Sequence, residues 1–443
     1  MSDRSGRPVG DRPPPGPFRA EFWRSPLRGP WLASILGSAL LPLIVICAVT
    51  GFLSQAAYDP SLSDNSQLPG GGLGFDLYFF SWPTSPSWIY AFTQGLHVIS
   101  GVAAIPLLLA KLWSAMPKFF EWPPVRSLAH GLERASLAFL VGGSIFVFFT
   151  GLLNIQLYYP WSFPFVPAHY YGAFIFLGAL ALHVTLKLPV VRKAFRERGV
   201  IRPLRDDLAH TSPEPPAYDS TAPANPTSPT MSRRALLGTV AAGSAGLGVM
   251  VAAGQVIGGP FRDLPLLAPR GQKLGNGPND FQINKTARAA GINAAQTGPD
   301  WRLVLQGTER VEFSRPELME MAKHSHDLTI GCVEGWSTTQ RWTGVRLKDL
   351  ASLAGAPEGS DVEVSSLQRS GGFNHAVLSS GQIGDDRSML ALKVNGADLS
   401  LDHGYPARVI VPGAPGVHDT KWVSSMTFRE APPPRPPARA RRH

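Results

Sequence analysis

Cys332 is the residue whose type and surroundings most directly indicate chemistry. It lies in the stretch Ile330-Gly-Cys-Val-Glu-Gly-Trp-Ser337, and the other cysteine of the chain, Cys47, falls in a long apolar run. The sequence around Cys332 contains no CxxC pair or Cys/His cluster of the kind that binds zinc. A lone cysteine of this kind is either a packed core thiol, which is the commoner case, or a single thiolate that reacts or binds a metal.

Four histidines lie in or beside apolar segments, where ionisable residues are rare and usually functional. His169 and His183 are 14 positions apart, so a helix places them on nearly one face, roughly 21 Å apart along its axis. This spacing resembles that of a ligating helix in dihaem b-type cytochromes. We therefore expect two b-type haems with imidazole axial ligands, one held by His97 and His169 and the other by His130 and His183. If the fourth helix begins no earlier than Tyr170, a single haem between His97 and His183 is the alternative.

The elements that position these histidines are four apolar segments long enough to cross a bilayer, which takes roughly 20 residues. They are Trp31–Leu53, Trp88–Ala110, Leu132–Leu153 and Tyr170–Val191. Loops 55–87 and 154–169 contain no Lys or Arg, whereas the N-terminus and the other loops are basic. By the positive-inside rule, we expect the N-terminus in the cytoplasm and a multi-pass protein of the bacterial cell membrane.

The segment that follows these helices indicates export of the remaining chain. Residues 201–230 are rich in Pro, Ser and Thr and are typical of a disordered cytoplasmic linker. Arg233 and Arg234 then precede a Gly/Ala-rich apolar run that, with them, spans residues 231–258. This arrangement resembles a twin-arginine export signal, which would recruit the twin-arginine export machinery; a simple positive-inside anchor is the alternative. Left uncleaved, the run is a fifth membrane helix, with the rest of the chain extracytoplasmic.

Composition and β-rich patterning define the domains. The chain has 443 residues and a net charge of +9, but no basic face with interleaved aromatics, so nucleic acid is not expected as a partner. Short β-rich runs, with helices at 315–324 and 347–353, predict a mixed α+β domain; the runs are Trp301–Leu305, Val362–Ser366, Ala391–Val394, Ala407–Val411 and Trp422–Phe428. The predicted order is a basic tail 1–30, a membrane domain 31–200, the linker, the fifth helix, a soluble domain 259–430 and a disordered tail 431–443.

Two motifs in this soluble domain resemble the sulfite oxidase superfamily. The cysteine stretch is followed by Arg341-Trp-Thr-Gly-Val-Arg-Leu347, and further on stand Asp402-His-Gly-Tyr-Pro-Ala-Arg-Val-Ile-Val-Pro-Gly413 and Thr420-Lys-Trp-Val423. The likeness includes the periplasmic methionine sulfoxide reductase catalytic subunits and covers about residues 270–430. It implies a molybdenum–molybdopterin cofactor with Cys332 as the thiolate on the metal. The predicted fold is therefore a four-helix transmembrane b-type cytochrome-like bundle with a fifth anchor helix, followed by an α+β sulfite-oxidase-type molybdopterin-binding domain.

The resemblance also implies the residues around the cofactor. Arginine binds phosphate well through two parallel hydrogen bonds. The implied cofactor contacts are Asn279, Gln282, Ile283, Ser366, His403, Arg408, Asp419, Thr420 and Lys421. Arg341 and Arg369 are candidates for gripping an anionic or strongly dipolar oxygen donor, because the arginine pair that follows the cysteine in sulfite oxidases is absent here.

Together these features predict an enzyme that transfers an oxygen atom to or from a small molecule at an extracytoplasmic molybdenum centre. Electrons would pass through the membrane haems to or from a quinone. The sequence leaves open whether the reaction is sulfite-type oxidation or reduction of a sulfoxide or N-oxide. A cofactor-binding electron-transfer or sensor protein without turnover of its own is a further alternative.

Overall fold

The computed structural model describes residues 13–58, 80–156, 158–215, 221–257, 261, 275–321, 324–369 and 374–430. The chain divides into two compact units. The first comprises Met1–Val49, His97–Ala253 and Leu266–Ala268, and the second comprises Thr50–Leu96, Gly254–Pro265 and Pro269–His443. The predicted C-terminal tail 431–443 and residues 1–12 of the N-terminal tail lie outside the described residues.

The helical part of the chain contains, among the described residues, five helices long and apolar enough to cross a membrane. They are α1 (Pro30–Ala56), α2 (Ile89–Phe119), α3 (Leu128–Ile155), α4 (Phe165–Arg198) and α5 (Arg233–Ala252). Serine side chains cap two of them, since Ser127 accepts from the amide of His130 and Ser232 accepts from that of Ala235. Large apolar side chains such as Val49, Phe139 and Leu186 are exposed along these helices.

Helix α4 begins at Phe165, five residues earlier than the predicted start at Tyr170. The apolar criterion missed this turn because Pro167 and His169 interrupt the apolar run. Proline is tolerated in the first turn of a helix, where its missing N–H has no intrahelical partner. The earlier start includes His169 in the helix.

Residues 201–230, predicted to be a disordered linker, are described at 201–215 and 221–230 and contain buried side chains. The carboxylate of Glu214 accepts hydrogen bonds from the amides of Trp31 and Leu32 at 3.0 and 3.4 Å, and lies 3.6 Å from the guanidinium of Arg198. It therefore caps the first turn of α1, where helix amides have no intrahelical acceptor. The composition of the linker gave no sign of this long-range contact.

Two five-stranded sheets form the second unit. One has the order β2 (Arg310–Ser314), β1 (Arg302–Gln306), β10 (Val423–Arg429), β5 (Asp361–Ser366), β6 (His375–Leu378). The other has the order β3 (His324–Gly331), β4 (Ser337–Arg346), β7 (Met389–Val394), β8 (Ala397–Asp398), with β9 (Arg408–Ile410) also paired to β7. All pairs are antiparallel except β1 with β10.

Four short helices accompany these strands. Helix α6 (Ala287–Ala290) precedes β1, and α7 (Arg315–Glu320), α8 (Leu347–Leu353) and α9 (Ser380–Gly384) lie between strands. The predicted helix from Arg315 ends four residues early, and His324 begins β3 instead. The five predicted strands are present with ends shifted by up to two residues, but the hairpin β3–β4 was not predicted. Its cross-strand pairs include hydroxyl contacts such as Thr329–Thr339 at 2.8 Å. Such polar residues weaken the alternation of apolar and polar residues that predicts a half-buried strand.

The core of the second unit draws on both sheets, with a main cluster that includes Leu303, Val364, Leu390 and Met426. A second apolar cluster surrounds Cys332 and contains Ile330, Trp336 and Trp342. The cysteine therefore lies where the hairpin β3–β4 enters the core, with 9% of its surface exposed.

The connection between α1 and α2 belongs to the second unit, which differs from the predicted membrane domain 31–200. The indole of Trp82 donates to the carbonyl of Gly413 at 2.7 Å, and the amide of Gly413 donates to the carbonyl of Ser87 at 3.1 Å. Arg387 donates to the carbonyl of Thr84 at 3.1 Å. These backbone contacts fix residues 82–87 against the sheets.

Candidate active site

Cys332 lies in a tight turn between β3 and β4. Its amide donates to the carbonyl of Trp336 at 3.0 Å, and the amide of Gly335 donates to the carbonyl of Cys332 at 2.9 Å. Gly335 has a φ of +93°, a backbone conformation that residues other than glycine rarely adopt. Burial, reinforced by the nearby Glu334 carboxylate, raises the pKa of the Cys332 thiol. A bound metal would deprotonate the thiol outright.

Two buried cations stand within electrostatic range of Cys332. Arg408 on β9 is 3% exposed, its guanidinium lies 5.5 Å from the ring centre of Trp342, and its Nε has no hydrogen-bond partner among the described residues. The ammonium of Lys421 donates to the carbonyl of Asp402 at 2.9 Å and to that of Lys285. Burial lowers the pKa of both side chains. Such charges are costly to bury unless an anion pairs with them.

His403 lies beside these cations and is 1% exposed. Its Nε2 donates to the carbonyl of Asn279 at 2.8 Å, and its ring stacks on Phe281 with centroids 3.7 Å apart. Burial, with Arg408 and Lys421 nearby, lowers the pKa of His403 to about 3, so the imidazole is neutral. Asn279 is itself held by Ser400, whose amide donates to its Oδ1 at 2.7 Å.

Segment 418–421, a turn and bend that precede β10, supplies further buried polar groups. Asp419 accepts from the amide of Val411 at 2.9 Å through one carboxylate oxygen, and burial raises the pKa of Asp419 to about 7 despite the Arg408 charge. The other Asp419 oxygen and the Thr420 hydroxyl have no hydrogen-bond partner among the described residues. A small pocket adjoins this segment and is lined by Asn284, Lys285, Gln368, Gly416, Val417, Asp419, Thr420, Lys421 and Trp422.

The remaining predicted contact residues fall into two groups. Ser366 donates to the carbonyl of Lys421 at 2.7 Å and so holds the same segment; Gln282 is buried and Ile283 half-buried beside Phe281. Arg341 and Arg369, by contrast, are exposed, and Arg341 lies 3.7 Å from Asp327 across the hairpin. The structure therefore gathers the predicted cofactor residues but does not bring these two arginines to Cys332; their substrate role stays a prediction.

Several buried residues near the site were missed from the sequence. His418 is fully buried, and its Nδ1 lies 3.2 Å from the side-chain amide of Gln382. Tyr90, 1% exposed, contacts Tyr58 through their hydroxyls at 3.1 Å. His418 directly precedes the quoted Asp419-Thr420-Lys421 segment, which was an available signal. Tyr58 and Tyr90 carry no local signal, because they are far from the cysteine along the chain.

The membrane histidines separate into a close pair and two distant positions. The rings of His97 and His169 have centroids 6.1 Å apart and planes at 88°. His97 Nδ1 lies 2.7 Å from the carbonyl of Cys47, and His169 Nδ1 lies 3.1 Å from the hydroxyl of Thr150. His130 Nδ1 accepts from the amide of Arg126 at 3.2 Å, and its Nε2 is 4.0 Å from Glu121. His183 is half-buried on α4, and its pairing with His130 stays a prediction.

Comparison with known proteins agrees with this arrangement. Residues 290–436 match the family described as "Oxidoreductase molybdopterin binding domain". Sulfite oxidase of Arabidopsis thaliana is 33% identical over 99 residues, covering 19% of this chain and 25% of that protein. Mitochondrial sulfite oxidase of Rattus norvegicus is 28% identical over 150 residues, or 27% of each chain. The NADH nitrate reductase of Volvox carteri is 38% identical over 105 residues, covering 21% of this chain and 12% of that protein.

Residues 290–436 are therefore similar to a molybdopterin-binding oxidoreductase domain, which indicates that the chain is an oxidoreductase. The chain spans about a quarter of the length of the sulfite oxidases it matches. Among solved structures, the sulfane dehydrogenase SoxCD from Paracoccus pantotrophus matches with 25% identity and a TM-score of 0.28, covering 30% of this chain and 39% of that one.

The buried groups of the molybdopterin-binding domain fit such a cofactor. Arg408 and Lys421 are buried cations with Asp419 as the neighbouring carboxylate, and Arg408 Nε and Thr420 Oγ1 lack partners among the described residues. Native proteins rarely leave buried polar atoms unsatisfied without a reason. A phosphate-bearing pterin would supply the anion and the acceptors, and Cys332 would supply a thiolate.

Proposed function

We propose that this chain is a membrane-anchored, molybdopterin-dependent oxidoreductase that transfers an oxygen atom to or from a small molecule. The observation that carries this proposal is the buried Cys332 turn within electrostatic range of Arg408 and Lys421, in a domain of the molybdopterin-binding family. When bound, the molybdenum centre would supply two-electron oxygen-atom transfer. The protein's part is to hold that centre and to exclude competing solvent.

The residues of the site divide this work by their chemistry. Cys332 would bind the metal through its sulfur, held in a turn whose amides are satisfied internally. Arg408 and Lys421 would bind the cofactor's phosphate, where charge-assisted hydrogen bonds are roughly twice as strong as neutral ones. His403, kept neutral by burial and by its bond to Asn279, would face the pterin as a hydrogen-bonding group rather than as a third cation.

The membrane helices would carry electrons through haem. The rings of His97 and His169 lie with centroids 6.1 Å apart, and this proximity supports the proposal that the two imidazoles would hold one haem between them. Each ring has its Nδ1 beside a polar partner, the arrangement that orients a metal-binding histidine. A second haem on His130 and His183 completes the proposed pathway to a quinone.

The sequence pattern supports a location for the site but leaves the substrate open. The absence of Lys and Arg in loops 55–87 and 154–169 supports a location of these loops, and of the domain after α5, outside the cytoplasm, with export by the twin-arginine machinery. The substrate is a sulfite-type oxygen acceptor or a sulfoxide- or N-oxide-type oxygen donor.

Metal analysis of the purified full-length protein tests the central assignment. We expect about one molybdenum per chain, lost in Cys332→Ser, and turnover with sulfite, a sulfoxide or an N-oxide. A cofactor-replete preparation without molybdenum refutes the proposal. Molybdenum without turnover on any of these substrates would instead indicate a cofactor-binding electron-transfer or sensor protein.

Optical spectra test the haem separately. We expect a dithionite-reducible b-type spectrum that loses about half its intensity in His97→Ala, in His169→Ala and in His183→Ala, because each variant removes a ligand of one of the two proposed haems. Reoxidation of this signal by substrate, in membranes containing quinone, identifies the direction of the reaction. A purified protein without this b-type spectrum refutes the haem assignment. The apolar helices would then act only as a membrane anchor for the enzyme.

A further inference from the structure

The turn that carries Cys332 is held by two glutamines that lie outside the region matched to the molybdopterin-binding family. The side-chain amide of Gln94, on α2, donates to the carbonyl of Val333 at 2.6 Å. That of Gln255, in the π-helical turn Ala253–Ile257 after α5, donates to the carbonyl of Glu334 at 3.4 Å. These are the two carbonyls that directly follow the cysteine, and all of these residues belong to the second unit.

Both glutamines are buried, Gln94 at 8% and Gln255 at 0% exposure. Within the turn, the amides of Cys332 and Gly335 are already used by the carbonyls of Trp336 and Cys332. The carbonyls of Val333 and Glu334 point away from the turn toward the glutamines. Because a buried carbonyl without a donor is costly, the two amides fix the peptide planes next to Cys332. Those planes determine where the cysteine sulfur points.

We propose that Gln94 and Gln255 are positioning residues for the molybdenum ligand. They hold the Cys332 turn in the conformation that directs its sulfur to the metal, so the segments around α2 and after α5 complete the site as well as anchor the domain. This inference rests on the proposed role of Cys332. It places part of the support of the metal ligand in residues that a molybdopterin-binding domain expressed alone would lack.

The test uses the full-length protein in detergent with Gln94→Met and Gln255→Met, which keep the side-chain volume and remove the donor. Gln306→Met, at an exposed position on β1, is the matched control. In cofactor-free protein, we expect iodoacetamide to alkylate Cys332 about tenfold faster in each buried variant, because loss of the hydrogen bond loosens the turn. Mass spectrometry separates this cysteine from Cys47.

The molybdenum-loaded protein provides the second readout. Loss of a partner that orients a metal ligand costs about 10–100-fold in metal affinity or activity. We expect kcat to fall within this range while KM changes less than threefold, and the Mo(V) paramagnetic resonance signal to shift. Gln94→Leu, which also removes the donor and has a similar volume, is a second variant that should behave like Gln94→Met, so the test does not depend on one substitution.

Two results separate the inference from the proposed function. Alkylation rates and resonance spectra equal to wild type in both Gln94 variants and in Gln255→Met would overturn the positioning role. Molybdenum missing from the wild-type protein would overturn the proposed function, whereas the alkylation rates would still report whether the glutamines hold the turn.

Discussion

Gly331→Ala is the sharpest test of how the Cys332 turn is packed. A Cβ placed on Gly331 would lie 2.9 Å from Cδ1 of Tyr90, 3.3 Å from Cα of Ala91 and 3.4 Å from Cβ of Ala91. Carbon atoms in contact prefer separations of about 3.5–4.0 Å. The added methyl group therefore overlaps a buried ring and a helix backbone, and the backbone cannot move aside as a flexible side-chain tip could.

The expected cost follows from this geometry. Overpacking of a well-packed core typically costs about 1–3 kcal/mol. For a cooperative unit of 150–250 residues, each kcal/mol lowers the melting temperature by about 2–4 °C. We expect Gly331→Ala to melt about 2–12 °C below wild type, and to bind less molybdenum because the displaced residue precedes Cys332.

Thermal unfolding of the full-length protein in detergent, followed by near-ultraviolet circular dichroism, measures this effect. Gly384→Ala is the control, because a Cβ there meets nothing within 4 Å. Gly331→Ala combined with Tyr90→Ala should regain part of the loss by removing the ring. A Gly331→Ala protein with the melting temperature and molybdenum content of wild type would refute the packing of Tyr90 against this turn.

Three further predictions concern buried charges. The pKa of Asp419 is raised from its ordinary 3.8 to about 7 by burial, so the folded state holds this proton more tightly than the unfolded state. The unfolding free energy of cofactor-free protein therefore falls as pH rises from 3.8 to 7, by at most about 4 kcal/mol from this group. Urea titrations at pH 5 and pH 8 measure this fall, which should be smaller in Asp419→Asn because the titrating carboxyl is gone. Arg408→Met should lower retained molybdenum about tenfold or more in metal analysis, because the cofactor phosphate loses a buried charge-assisted partner. Glu214→Ala should destabilise the first unit by about 3 kcal/mol in thermal unfolding, because Arg198 loses its buried partner and the amide of Trp31 loses its cap.

Each of these predictions has a control and a contradicting result. Asp402→Asn is the control for Asp419→Asn. If the unfolding free energy of Asp419→Asn depends on pH as that of wild type does, this carboxyl is not buried. Arg302→Met, on the exposed side of β1, is the control for Arg408→Met. Equal molybdenum content in Arg408→Met and wild type would exclude a role for Arg408 in binding the cofactor. Glu197→Ala, exposed near the end of α4, serves for Glu214, and equal melting temperatures would rule out the cap.

The sequence predicted a helix or strand correctly wherever the pattern for that element lies within one short run of residues. Long uncharged apolar runs predict helices, and α1 to α5 are present with the length and composition that could cross a membrane. Runs of apolar and β-branched residues located β1, β5, β7, β9 and β10 within two residues. The start of α4 and the hairpin β3–β4 were missed because their polar residues weaken those patterns.

The site divides in the same way. The lone Cys332 and the motif residues His403, Arg408 and Lys421 were accessible from their types and order, and the structure gathers them. Gln94, Gln255 and Tyr90 were not accessible, because each acts on a residue at least 77 positions away through contacts that leave no periodicity. The sequence by itself determined which groups can do chemistry; only the tertiary structure decided which amides and rings hold the Cys332 turn, because burial and hydrogen-bond geometry depend on segments that meet only after folding.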